Sequence, residues 1–272
     1  MNATQFWQWG GKQQRYADNE TVIEITTTSS NETFEWGIVT GTVQYYDWGN
    51  GIKNNNKSHT FANAGVYTIK IVGDIDYFRI KKSSNYELNP LVTKILQVAG
   101  SINNFYESFY GCINITSIPQ GLFDKNVNVG SFVSCFWGCA GLTSIPQGLF
   151  DKNINVTRFD GCFFLCTNLT SIPQGLFDKN VNVIYFTSSF AECKNLTTVP
   201  IDLFDKNIKT WQFIDCFHSC ISLKNRPKPH GLEMWQIAGT NGRPAVIHIG
   251  RMFTNCHAMP DYNSLPASVN NQ

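Results

Sequence analysis

The sequence predicts a mainly β protein with short helices, in which a small β-sandwich is followed by a solenoid of repeated coils. Three observations carry this expectation. The phrase Thr116 to Asn126 returns almost unchanged as Thr143 to Asn153 and Thr170 to Asn180, and in altered form as Thr197 to Asn207. Pro119, Pro146, Pro173, Pro200 and Pro227 fall 27 residues apart, as do Cys112, Cys139, Cys166, Cys193 and Cys220. Ahead of the repeats, β-branched and aromatic residues alternate with polar ones between clusters of Gly and Asn, the pattern of short strands and turns. A fixed period of this length means units that bury their apolar faces only against neighbouring units.

Residues 1–17 read as an arm, because Phe6, Trp7, Trp9, Gly10, Gly11 and Tyr16 lie among polar residues without a period. Phe6, Trp7 and Trp9 are its candidate anchors, since an aromatic arm stays frayed unless it docks on something. Residues 18–88 form the expected sandwich, with strands at Thr21 to Thr28, Thr42 to Trp48, Val66 to Val72 and Tyr77 to Ile80. The breaks are Gly49 to Asn56 and Ala62 to Gly65, residue types that punctuate strands.

The run Tyr46-Asp47-Trp48-Gly49-Asn50-Gly51, then His59-Thr60-Phe61 and Gly65-Val66-Tyr67-Thr68-Ile69-Lys70-Ile71, resembles the polycystic-kidney-disease (PKD) type of immunoglobulin-like domain. Asn50 stands where that family usually has Asp, and Phe61 where it has Tyr. The resemblance implies a β-sandwich spacer or adhesive module without catalytic residues. Trp48 and Tyr67 are then core aromatics, and Gly49 and Gly51 permit a tight turn with positive φ.

The solenoid is expected over residues 89–260, with Ile95 to Val98 as its first strand. One unit, Val129 to Asn153, carries two apolar steps, Val129-x-x-Phe132 and Leu142-x-x-Ile145. Each leads into a more helical stretch, Cys135 to Cys139 and Gly148 to Asp151. Pro146 fits, because proline ends an extended segment and opens a following turn. The string Phe136-x-x-Cys139-x-x-Leu142-x-x-Ile145-Pro146 is similar to the Treponema-type, or BspA-like, bacterial leucine-rich repeats. The Gly-Leu-Phe-Asp-Lys-Asn segment marks a variant longer than most of that class. The resemblance implies adhesion at a cell surface or on a bacteriophage particle, and no catalysis. An insertion, Lys228 to Pro244, stretches Cys220 to Cys256 to 36 residues, and atypical end units cap such stacks. Residues 261–272 read as a polar tail.

Composition narrows function. A formal net charge of +1 with 15% charged residues gives no electrostatic footprint for nucleic acid. No apolar run reaches a membrane span, and Met1 to Trp7 does not read as a signal peptide. The nine cysteines follow the repeat. Cys135 with Cys139, Cys162 with Cys166, and Cys216 with Cys220 are i,i+4 pairs, read as packed thiols, with disulfides or a metal as alternatives. Cys216, His218, Cys220, Cys256 and His257 could in principle close a zinc site, but the repeat already explains Cys216 and Cys220. Neither metal nor cofactor is therefore assigned.

Asp124, Asp151, Asp178 and Asp205 form a column beside Lys125, Lys152, Lys179 and Lys206, and a further column of Asn126, Asn153, Asn180 and Asn207 follows. These read as structural ladders, the Asn side chains bonding turn backbone. A fourfold carboxylate array is not a differentiated acid and base, and no catalytic motif appears, so no catalytic residue is assigned.

Specificity is expected where the copies disagree. One varied column is Tyr110, Trp137, Phe164, Ala191 and His218; a second region holds Arg158, Tyr185 and Trp211. Trp137, Phe164, His218, Arg158, Tyr185 and Trp211 are the candidate binding residues, aromatic and Arg side chains being common anchors. Drift at unconstrained surface positions is the alternative. The expected function is a non-enzymatic virion-associated structural or adhesion protein, as a phage fibre, decoration or tail-associated protein. Its expected partners are other virion or surface proteins and host-surface glycan or protein, and a homo-oligomer is compatible with the sequence. A bacterial surface adhesin is the alternative, and a glycan-active enzyme a remote one.

Overall fold

The computed structural model describes residues 16–80 and 88–270. The chain is mainly β with few helices. Its strands are β1 (Glu20–Thr27), β2 (Glu32–Glu35), β3 (Ile38–Asp47), β4 (Lys53–Asn54), β5 (Ser58–Phe61), β6 (Gly65–Arg79) and β7 (Val92–Gln97). Five form one sheet in the order β4-β3-β6-β1-β7, and β2 pairs with β5 in a second. All of these pairings are antiparallel.

Aromatic rings fill the space between the two sheets. Phe34 on β2 meets Trp36 and Trp48 edge-on at 5.4 and 6.5 Å, and Phe61 on β5 packs on Tyr67 of β6 at 4.3 Å. Trp48 is fully buried, and its indole nitrogen donates to Asn54 Oδ1 at 3.2 Å. Gly49 is required here: at φ +72, a Cβ would lie 2.5 Å from Thr68 O. The two strands expected at 66–72 and 77–80 are one long strand, β6. The pairing shifts opposite Val43 to Tyr45, where Gln44 is an extra residue on β3 and Gly73 of β6 lets the neighbouring backbone come close.

Two boundaries differ from the sequence expectation. The segment expected to open the repeats is β7, which closes the N-terminal sheet against β1 through Ile23 opposite Ile95. Its apolar alternation suits either neighbour, and the antiparallel edge of β1 takes it. Tyr16 and Ala17, assigned to the arm, are held to the sheet: Lys70 Nζ lies 5.1 Å from the Tyr16 ring centroid, and Gln97 Nε2 donates to Ala17 O. The proposed anchors Phe6, Trp7 and Trp9 lie outside the described residues.

The end of β6 doubles as the first rung of the repeats. Tyr77 bridges Asn104 in parallel, and Asn103 N donates to Asp76 O. Phe78 lies 27 residues before Phe105 and packs against Phe105 and Phe109 at 6.4 and 5.3 Å. Ser108 Oγ donates to Phe78 O at 2.8 Å, as Ser189 Oγ does to Phe159 O further along.

Beyond this rung, successive coils stack in parallel register, marked by bridges from Ser131 to Arg158, Arg158 to Tyr185 and Tyr185 to Gln212. Three columns of phenylalanine run through the interior. Phe105, Phe132, Phe159, Phe186 and Phe213 stack at 5.4 to 5.8 Å. Phe109, Phe136, Phe163, Phe190 and Phe217 do so at 5.5 to 5.6 Å, and Phe123, Phe150, Phe177 and Phe204 at 6.0 to 6.4 Å. Each buried ring contributes about 1.5–3 kcal/mol, so the stack is a single continuous core.

Polar atoms inside that core bond across coils. Asn153 Nδ2 donates to Phe123 O and Asn126 O at 3.1 and 2.8 Å, and Asn180 and Asn207 repeat the pattern. All nine cysteines are free and buried. Cys139, Cys166, Cys193 and Cys220 each donate through Sγ to the carbonyl of a phenylalanine one coil back, at 3.1 to 3.3 Å. Burial pushes the Cys112 thiol well above its ordinary range and the Cys256 thiol up to about 12.

The stretches expected to be helical are chains of turns instead. Residues 134 and 138 adopt left-handed φ of 53° and 70°, which breaks a helix while leaving Cys135 and Cys139 facing inward. Helical segments among the described residues are Pro229–Gly231, Tyr262–Ser264 and α1 (Ala267–Asn270). The segment expected as a polar tail packs on the last coil, burying Tyr262, Leu265 and Val269. Its apolar residues are few and spaced by polar ones, which hid them in the sequence. No helix among the described residues is long and apolar enough to cross a membrane.

Candidate functional site

Each coil turns outward between two inward-facing pairs, and Trp137, Phe164 and His218 belong to that turn. In the second coil, Cys135 N donates to Phe132 O, Trp137 N to Ser134 O and Cys139 N to Phe136 O. These tight turns carry Phe132, Cys135, Phe136 and Cys139 into the core and leave Trp137 outside. Left-handed residues flank the outward position in every coil. One series is Glu107, Ser134, Gly161, Ser188, Asp215 and Arg251; the other is Gly111, Gly138, Leu165, Glu192, Ser219 and Asn255. For the non-glycine members this costs about 1 kcal/mol or more each.

Trp137 and Phe164 lie side by side. Tyr110 stacks on Trp137 at 4.2 Å, and Trp137 on Phe164 at 5.3 Å with 9° between planes. Backbone bonds hold this spacing along the column: Gly138 N donates to Phe164 O, Leu165 N to Ala191 O, and Glu192 N to His218 O, all within 2.9 Å. His218 does not join the stack. Ala191 occupies the intervening step and has no ring, so a small open cleft lies between Phe164 and His218. It is lined by Phe164, Ser188, Ala191, Asp215, His218 and Arg251.

Arg158, Tyr185 and Trp211 form a second strip. The Arg158 guanidinium lies 5.0 Å from the Tyr185 ring centroid, and Tyr185 meets Trp211 edge-on at 5.4 Å. Trp211 in turn meets His248 at 5.3 Å. Arg158 Nε also donates to Asp160 Oδ2 at 2.9 Å, which fixes the guanidinium beside the ring.

Neither protein-family models nor curated proteins give a match to this chain.

Charge concentrates where the aromatic stack breaks. Arg251 Nη2 donates to Asp215 Oδ2 at 2.6 Å, and His218 Nδ1 lies 3.8 Å from Asp215 Oδ1. Asp215 Oδ1 and His218 Nδ1 are buried and make no hydrogen bond among the described residues. Ser188, Asp215 and Arg251 were not singled out from sequence. Asp215 and Arg251 share one column but lie 36 residues apart, so the terminal insertion hides the relation. No group of three His, Cys, Asp or Glu among the described residues is arranged to hold a metal ion. Cys216 and Cys220 face the core, and Cys256 Sγ donates to Phe217 O.

Proposed function

We propose that the chain is a non-enzymatic adhesion protein carried on a virion, built from an immunoglobulin-like sandwich of the PKD type and a leucine-rich solenoid of the Treponema type. The observation that carries the reading is the division of labour in the repeats. Residues that recur in every copy, such as Phe132, Cys139 and Asn153, are buried and bonded between coils, whereas Trp137, Phe164, Arg158, Tyr185 and Trp211 lie along the outside. An extended surface whose anchors vary while its frame does not is suited to binding.

The frame supports the finer fold. Parallel bridges at one repeat spacing and stacked phenylalanine columns are what a solenoid requires. Two antiparallel sheets enclosing Trp36 and Trp48 suit a sandwich. A single carboxylate, Asp215, lines the cleft, and glycoside hydrolysis ordinarily uses two. The resemblance to repeats of phage and gut-bacterial surface proteins supports the particle as the location, with the arm residues Phe6, Trp7 and Trp9 as its attachment.

Mass spectrometry of purified particles tests this reading, with antibody labelling of intact ones. The chain is expected in stoichiometric amount and accessible from outside. Its absence from particles together with its presence in the cytosol would contradict the reading, and its recovery on the bacterial surface would favour the adhesin alternative.

A further inference from the structure

We propose that the cleft at Ala191 binds one sugar ring of a surface glycan, inserted where the aromatic column lacks a ring of its own. The proposal rests on the adhesion reading above and names its ligand class and subsite.

Geometry comes first. Tyr110, Trp137 and Phe164 fill three consecutive steps of the column with stacked rings, and His218 fills the fifth. Ala191, at the fourth, is only 1% exposed and forms the floor. The walls are thus two coil spacings apart, about 10 Å at roughly 4.8 Å per step. A ring edge between them is bordered by Phe164 on one side and His218 on the other. The cleft is open to one side, and its volume of about 90 Å³ seats the edge of one ring and is too small for a helix or a β-strand.

Chemistry then selects the ring. A purely apolar side chain would leave the rim unused, because Ser188, Asp215 and Arg251 border the cleft. The Asp215 carboxylate accepts only, Arg251 donates only, and the Ser188 hydroxyl does both. Asp215 is already oriented by Arg251 at 2.6 Å, so its position is fixed before a ligand arrives. A sugar presents C–H faces to aromatic walls and several hydroxyls at its rim, which matches apolar walls with a few placed polar groups.

An array of immobilised oligosaccharides of hexoses, N-acetylhexosamines and uronic acids tests the proposal with the full chain, followed by titration with the best-bound oligosaccharide free in solution. Ala191→Phe places the protein's own ring in the cleft and is expected to weaken binding at least ten-fold with thermal unfolding unchanged. Asp215→Asn is expected to weaken it similarly, and Lys152→Ser, at an exposed position outside the cleft, to leave it within two-fold. If Ala191→Phe fails to fold, Phe164→Ala removes one wall from a partly exposed position and carries the same expectation. Equal binding by wild type, Asp215→Asn and Phe164→Ala overturns the proposal. No array binding, with retained binding to a particle or envelope protein, overturns it while the adhesion reading stands; loss of both ends both.

Discussion

Arg243 donates through Nη1 to Asn207 O at 3.1 Å, the same kind of backbone bond that Asn207 makes through Nδ2 to Asn180 O at 3.0 Å. Arg243 Nη2 also reaches Phe204 O at 2.5 Å, as Asn207 Nδ2 reaches Phe177 O. The terminal insertion therefore replaces an asparagine by an arginine and keeps its two carbonyl partners. The longer side chain spans the distance left by the irregular cap.

The asparagine ladder is expected to be sensitive at its middle. Asn153→Ala removes one donor each from two buried carbonyls, Phe123 O and Asn126 O, which keep the backbone donors Asn126 N and Val129 N, at about 0.5–1.5 kcal/mol per lost bond. A loss of about 1–3 kcal/mol is expected in denaturant unfolding. Asn153→Asp is expected to cost more, because it sets an acceptor and a charge against those carbonyls. Equal stability of Asn153→Asp and wild type would show that the ladder carries little.

Alkaline pH is expected to unfold the protein steeply. Burial raises the pKa of Cys112, Cys135, Cys139, Cys162, Cys166, Cys193, Cys216, Cys220 and Cys256. The folded chain thus keeps protons that the unfolded chain releases above roughly pH 8.5. The stability from these raised values is complete below that pH and is lost as pH climbs toward the folded values, by about 1.4 kcal/mol per pH unit for each thiol. Tm should be flat from pH 6 to 8 and fall sharply by pH 10. In native buffer at pH 8 a thiol reagent should label almost none of the nine, and all of them in denaturant.

Gly141 marks a close approach between coils. A Cβ there would lie 2.6 Å from Ile113 O and 2.8 Å from Ile115 O, both backbone atoms, so the coils must separate to admit it. Gly141→Ala is expected to destabilise by about 1–3 kcal/mol, whereas Gly130→Ala, with open space around it, should change stability by less than about 0.5 kcal/mol.

The sheet and the repeats are expected to unfold together. Phe78 is fully buried and belongs at once to β6 and to the phenylalanine column beginning at Phe105. Phe78→Ala should cost about 3–5 kcal/mol and lower one shared transition, seen equally by far-UV circular dichroism and tryptophan fluorescence. Two separated transitions in the wild type would show that the rung does not couple them.

The 27-residue period made the interior legible: Phe132, Phe159 and Phe186 share a column because their spacing equals one coil. The same arithmetic links Phe78 to Phe105 but is not legible, since Phe78 sits in a strand with no other mark of the repeat. The place of β7 is ambiguous because Ile95 reads as a strand residue in either neighbourhood, and sequence does not choose the partner. The tail is hidden because Tyr262, Leu265 and Val269 are spaced by polar residues without the period of the repeat. Of the candidate site, Trp137, Phe164 and His218 were visible as variation between copies. The cleft was not, because it arises from a missing ring at Ala191 and from Arg251, which the insertion moves out of register.

The most direct measurement compares binding of purified full-length variants to intact host envelope and to purified particle proteins. Trp137→Ser and Tyr185→Ser alter positions that differ between copies, while Lys152→Ser alters an exposed position repeated as Lys125 and Lys179. Recognition by the varied columns requires that Trp137→Ser, Tyr185→Ser or both lose binding at least ten-fold while Lys152→Ser binds as wild type does. Full binding by both aromatic variants, with loss in Lys152→Ser, would place recognition on the repeated ladders and contradict it.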